Sequence, residues 1–161
     1  MLGLMRHAKS SWDDAAARDF DRPLNQRGRA AAERMGRELK QRGITFDHVL
    51  ASPAARVRET LERLGQGYGA LPQVRFDERV YAASERTLLE LVRALPDTVR
   101  APLVVGHNPG LHLLLCALTG DVCDKFPTAA FAMIDLPAAR WDEVAPGHGR
   151  LEVMILPRGL D

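Results

Sequence analysis

Apolar residues fall into short blocks along this chain, and the blocks alternate between strand-like runs and helix-like stripes. Residues 1–6, MLGLMR, are a brief apolar run and read as a buried strand. A polar loop follows to about Pro23. Asn25 suits an N-cap, and a helix is expected from there to Gly43, with Ala31, Met35 and Leu39 recurring on one face. Gly43 is its stop. Residues 47–51, DHVLA, read as a second strand. Ser52 and Pro53 then fit an N-cap and first helical position, opening a helix to about Leu64. The Gly-rich residues 65–72 read as loop, and 73–76 as a short strand.

Ser84 suits the cap of a further helix, with Leu88, Leu91, Val92 and Leu95 on its apolar face. Pro96 to Pro102 is a break. Residues 103–105, LVV, read as a strand. Pro109 then opens a helix carrying Leu111, Leu114, Leu115 and Leu118, which ends at Gly120. Residues 129–136 and 151–156 read as two more strands. No helix separates them, so they are expected to pair antiparallel. This order predicts an α/β fold: a three-layer α/β/α sandwich with a mostly parallel central sheet and a C-terminal strand pair. One domain over residues 1–161 is expected, with no repeat and no linker.

Composition narrows the class. The chain has 161 residues and is 46% apolar and 27% charged, which fits a globular protein with its own core. The net charge is +1, too small for a general binder of nucleic acid or of membrane surfaces. Cys116 and Cys123 provide no disulfide framework and read as free thiols of a reducing compartment. Residues 101–120 hold no Asp, Glu, Lys or Arg, which raises the question of a membrane span. They also hold Pro102, Pro109, Gly106, Gly110, His107 and Asn108, so strand, turn and helix fit better than one span. With no signal segment ahead of the first strand, a cytoplasmic location is expected.

The chemistry sits at strand ends. In open α/β sheets ligands bind beyond the carboxyl ends of the strands. The first strand ends in Arg6-His7. The second ends in Ser52, with Arg56 a turn into the next helix. The strand at 103–105 runs into Gly106-His107-Asn108. A parallel sheet would bring these onto one crevice holding two arginines, two histidines and a helix N-terminus, a set suited to a phosphate dianion. The pattern contains no evident metal-ligand set and no Gly-rich loop with a nucleotide-binding lysine. A neutral imidazole facing a phosphate suggests covalent catalysis through phosphohistidine. Neighbouring cations would stabilise the oxygens in flight.

Four ordered blocks, LMRHAKSSWDD, DFDRPLNQRG, ASPAARVRET and VVGHNPG, resemble the signature of the histidine phosphatase superfamily. RHAKSSWDD and GHNPG look most like its SixA-type phosphohistidine phosphatase branch. The likeness runs from about residue 2 to residue 120. It implies a phosphoglycerate-mutase-like fold and a phosphatase needing neither metal nor cofactor. It implies His7 as nucleophile, Arg6 and Arg56 as phosphate-binding arginines, and His107 as the second histidine on the transferring group. RFDERVYAAS resembles the segment that carries an acidic proton donor in phosphoglycerate-mutase relatives, which points to Glu78. Asp13 and Asp19 are the alternatives.

Ser10 and Asn108 are further candidates for substrate binding. Three positions depart from the family pattern: Ala8 replaces a usual glycine, Lys9 a common acidic residue, and Asp13 an asparagine. His48, His112 and His148 read as structural, Arg58 as a surface charge, and Ser52 as a cap rather than a phosphate donor. The expected partner is a phosphohistidine-bearing protein or a small phosphate ester. The competing readings are a general phosphomonoesterase and a non-catalytic phosphate-binding module.

Overall fold

A computed structural model describes residues 1–160. Its elements are β1 (Leu2–Arg6), α1 (Gln26–Gln41), β2 (His48–Ala51), α2 (Ala55–Tyr68), β3 (Val74–Phe76), α3 (Glu85–Arg93), β4 (Pro102–Gly106), α4 (Gly110–Thr119), β5 (Phe131–Asp135) and β6 (Arg150–Ile155). The strands form one sheet in the order β3-β2-β4-β1-β5-β6. β3, β2, β4 and β1 run parallel, while β5 and β6 are antiparallel additions beside β1. The fold is the expected three-layer α/β/α sandwich, including the antiparallel C-terminal pair.

Alternation along each strand divides the core between the two faces of the sheet. Leu2, Leu4, Leu50 and Val104 pack against α3 and α4. Met5, Val49, Ala51, Leu103 and Val105 pack against α1 and α2. Both faces are covered, so the central strands are apolar on both sides, as parallel strands under helices must be.

Local signals hold at several helix ends. The Asn25 side chain accepts from the Gly28 N–H and caps α1. Ser84 does the same for α3 through the Thr87 N–H. Gly120 ends α4 with φ +74°.

Two expectations fail. Helix α2 does not stop at Leu64 but runs through Gly65 and Gly67 to Tyr68. Gly67 serves helix contact rather than a loop. A Cβ at Gly67 would lie 2.1 Å from the Glu33 carbonyl oxygen, and one at Gly36 would lie 2.2 Å from that of Leu64. The backbones of α1 and α2 therefore cross at contact distance, and the packing gained there overrides the weak helix propensity of glycine. Ser52 is also not the cap of α2, which begins at Ala55 without a side-chain cap. Of three single-turn 3₁₀ helices, Asp19–Asp21 lies in the segment read as loop, while Glu78–Val80 and Trp141–Glu143 lie where no element was expected.

The topology places three parallel strands side by side. Arg6 is in register with Gly106, and Ala51 with Val105. The next residue of β1, His7, donates its N–H to the Gly106 carbonyl at 3.0 Å, and the Ser52 N–H donates to that of Val105 at 3.1 Å. The residues leaving β1, β2 and β4 thus share one level at the carboxyl edge of the sheet.

Candidate active site

At that edge lies an open cavity of about 330 Å³. The structure brings Arg6, His7, Arg56 and His107 together on its wall, with Ser10, Arg22 and Asn108 beside them. His7, Arg56 and His107 are each about 7% exposed or less. The His7 and His107 rings lie 5.3 Å apart, centroid to centroid.

His7 is fixed by its own loop. The Ala8 carbonyl lies 2.7 Å from His7 Nδ1 and can only accept, so the proton is on Nδ1 and Nε2 keeps its lone pair. Burial pushes the His7 pKa down to about 4, helped by the charges of Arg56, Arg6 and Arg22 and opposed by the Ala8 hydrogen bond. The imidazole is therefore neutral at pH 7. Thr60 holds this loop to the next element. Its hydroxyl accepts from the Ala8 N–H at 3.0 Å and donates to the Arg56 carbonyl at 2.6 Å. Ala8 itself is fully buried among α1 and α2 side chains, so its methyl group is accommodated as core.

Arg56 sits in the first turn of α2. Its guanidinium donates to the Asp19 carbonyl at 2.7 Å, to Asp19 Oδ2 at 3.1 Å and to His107 Nδ1 at 3.2 Å. An arginine cannot accept, so His107 Nδ1 is the acceptor and its proton is on Nε2. Nε2 donates in turn to Ser52 Oγ at 2.8 Å. Burial lowers the His107 pKa to about 3, reinforced by His7, Arg56 and Arg6 and offset in part by Asp19. Ser52 is thus a buried partner of His107 rather than a helix cap. Arg6 reaches the Phe126 carbonyl at 3.4 Å through one nitrogen, and Asn108 Nδ2 donates to the same carbonyl at 2.7 Å. The Nε atoms of Arg6 and Arg56 are buried without a protein partner.

The carboxylate that reaches this cluster is Asp19. It accepts from the Tyr81 hydroxyl at 2.7 Å and from Arg22 and Arg56. Tyr81 first, then Arg22 and Arg56, hold its carboxyl far below the usual range. Asp19 is therefore a fixed anion that orients two arginines. Glu78 stands on the exposed 3₁₀ turn, does not line the cavity, and makes no side-chain hydrogen bond or ion pair among the described residues. Asp13 is exposed outside the cavity and is not paired with Lys9 among the described residues.

Sequence reasoning missed Arg22, Thr60 and Tyr81. Arg22 is 7% exposed, donates to Ser10 Oγ at 2.5 Å and stacks 3.5 Å over the ring of Trp12, which is 75% exposed. The Tyr81 ring meets His107 edge-on at 5.4 Å. All three lie inside blocks that drew notice, but nothing in the local pattern separates them from core or surface residues. Among the described residues no group of three His, Cys, Asp or Glu side chains could hold a metal ion. No described helix is long and apolar enough to cross a membrane.

Comparison with known proteins bears on this geometry. The sequence model of the histidine phosphatase superfamily (branch 1) matches residues 2–86. The chain belongs to the histidine phosphatase superfamily. An uncharacterized protein of Mycobacterium tuberculosis, Rv1276c, is 37% identical over 164 residues, covering 96% of this chain and all of that one. A crystal structure of a SixA protein from Agrobacterium tumefaciens superposes with a TM-score of 0.84 at 30% identity, over 97% of each chain. The structure of the protein histidine phosphatase SixA complexed with tungstate superposes with a TM-score of 0.85 at 26% identity, over 99% of each chain. This histidine phosphatase superfamily member is a phosphatase with a SixA-like, phosphoglycerate-mutase-like fold.

Proposed function

We propose that this phosphatase removes phosphoryl groups from phosphohistidine on proteins, in two steps through a phosphohistidine on His7. The observation that carries the reading is the neutral His7, with Nδ1–H held by Ala8 and the Nε2 lone pair left free beside two arginines. In the first step His7 Nε2 bonds to phosphorus and the bond from phosphorus to the leaving imidazole breaks. The electron pair goes to the leaving nitrogen. The reacting form is the phosphohistidine protonated at its other ring nitrogen, so the leaving ring departs as neutral imidazole. In the second step a water oxygen bonds to phosphorus, the P–Nε2 bond breaks, and inorganic phosphate leaves with the water's protons. Arg6, Arg56 and His107 bind the equatorial oxygens, and their charge is worth most in the transition state. Ser10 and Asn108 hold the walls of the cup.

The choice of leaving group rests on the proton donor. An alkoxide needs a protonated acid beside it. Asp19 is held ionised by three donors, and Glu78 lies outside the cavity. A phosphohistidine protonated at its other ring nitrogen leaves as neutral imidazole and needs neither. The open cup also suits a phosphate displayed on a protein, since a small ester depends on enclosing walls for affinity.

The test compares turnover of a histidine-phosphorylated protein with that of a panel of alkyl phosphate esters, in the wild type and in Glu78→Gln. The phosphohistidine protein is expected to be preferred by orders of magnitude, with Glu78→Gln retaining that activity. Preference for esters, abolished in Glu78→Gln, would instead establish a phosphomonoesterase with Glu78 as its acid. Tungstate binding without hydrolysis of either substrate would establish a binding module.

A further inference from the structure

Next to the phosphate cup lies a second open cavity of about 460 Å³, whose wall carries Lys9, Arg27, Arg34 and Arg158, with Ala31 and Thr128 between them. Its lining holds no carboxylate. Lys9 and Thr128 line both cavities, so the two are continuous.

The shelf follows from how α1 begins. The Asn25 N–H donates to the Lys9 carbonyl at 3.0 Å. A Cβ at Gly28 would lie 2.1 Å from that same oxygen. The first turn of α1 is thereby pressed against the loop that follows His7. Arg27, Ala31 and Arg34 then recur on one face of the helix and extend about 10 Å away from the cup.

The other arginines on α1, and Arg42 at its C-cap, are neutralised. Arg29 pairs with Glu59, Arg37 with Glu33, and Arg42 with Glu38. Among the described residues, none of the four cations on the shelf forms an ion pair or donates a side-chain hydrogen bond. In a chain of net charge +1, this is a local concentration of positive charge beside the reaction site.

We propose that this shelf docks an acidic protein face, a row of carboxylates flanking the phosphohistidine that enters the cup. The inference rests on the phosphohistidine reading above. The cations are strung along the helix and do not converge on a point, which matches a row of carboxylates better than a second phosphate. An open cationic surface of this kind acts mainly by steering encounter and fixing register, so its effect falls on kcat/KM.

The test uses two matched peptides, each carrying one chemically phosphorylated histidine, flanked by glutamates in one and by lysines in the other. Phosphoramidate serves as a small probe that reaches only the cup. At low salt the wild type is expected to prefer the acidic peptide by roughly tenfold or more in kcat/KM, with the preference shrinking as salt is raised. The double variant Arg27→Glu, Arg158→Glu should lose that preference while its turnover of phosphoramidate is unchanged, which also shows that it folds. Lys40→Glu with Arg86→Glu makes the same change of net charge away from the shelf and should keep the preference.

Equal turnover of both peptides by the wild type would overturn the docking proposal and leave the functional reading standing. So would a preference that survives in Arg27→Glu, Arg158→Glu, or one lost equally in the distant control. Loss of phosphoramidate turnover in the shelf variant would make these residues part of the cup, and would also overturn it. Hydrolysis of phosphate esters with neither peptide touched would defeat the functional reading, and the docking proposal with it.

Discussion

A guanidinium nitrogen of Arg56 donates to His107 Nδ1 at 3.2 Å, so the imidazole in the phosphate cup is an acceptor toward its cationic neighbour. The proton on Nε2 is held by Ser52. A bound dianion changes this balance, because its charge favours imidazolium, and a protonated Nδ1 becomes a donor to the oxyanion. Nitrogen-resolved NMR titration of His107 should therefore give a pKa near 3 in the free protein, moved upward by saturating tungstate. An unchanged pKa with tungstate bound would show that His107 does not face the anion.

The nucleophile carries its own pH signature. The folded-state pKa of His7 is lowered from 6.5 to about 4, mainly by burial. Only the neutral ring attacks, so activity that depends on it is retained through pH 6 and lost as pH falls through about 4. Once corrected for ionisation of the substrate phosphate, the acid limb of kcat/KM should lie well below 6.5. The same sign governs stability. Between pH 6.5 and 4 the unfolded chain takes up protons at His7 and His107 that the folded chain does not, so stability declines over that window as pH falls. A limb near 6.5 would mean that His7 is more solvated than its surroundings indicate.

Thr60 joins the nucleophile's loop to the helix that carries Arg56. Thr60→Val keeps the shape and removes the hydroxyl, leaving the Ala8 N–H buried without its partner. Denaturant unfolding should show a loss of about 1–3 kcal/mol. kcat/KM should fall as well, because the His7 loop loses its tether. Thr60→Ser should restore both, and a neutral Thr60→Val would show the tether to be idle.

Much of this site was legible in the sequence for a simple reason. Arg6, His7 and His107 directly follow or end parallel strands, and a parallel sheet delivers strand ends to one edge. Periodicity was enough to place them. Ser52 was misread because its chemistry is set by His107, which lies 55 residues away, whereas capping is the ordinary local use of a serine before a proline. Arg22 and Tyr81 converge on Asp19 from separate loops, and no spacing rule links those segments. Gly67 looked like loop because glycine disfavours helix, but its use depends on how closely α1 approaches α2.

The central claim is that the phosphoryl group rests on His7 between the two steps, and rapid quenching of turnover with a ³²P-labelled phosphohistidine protein tests it most directly. The account predicts label on the enzyme after alkaline quench, lost on acid treatment, located at His7 and absent in His7→Ala. Label that survives acid, or alkaline-stable label that persists in His7→Ala, would contradict it.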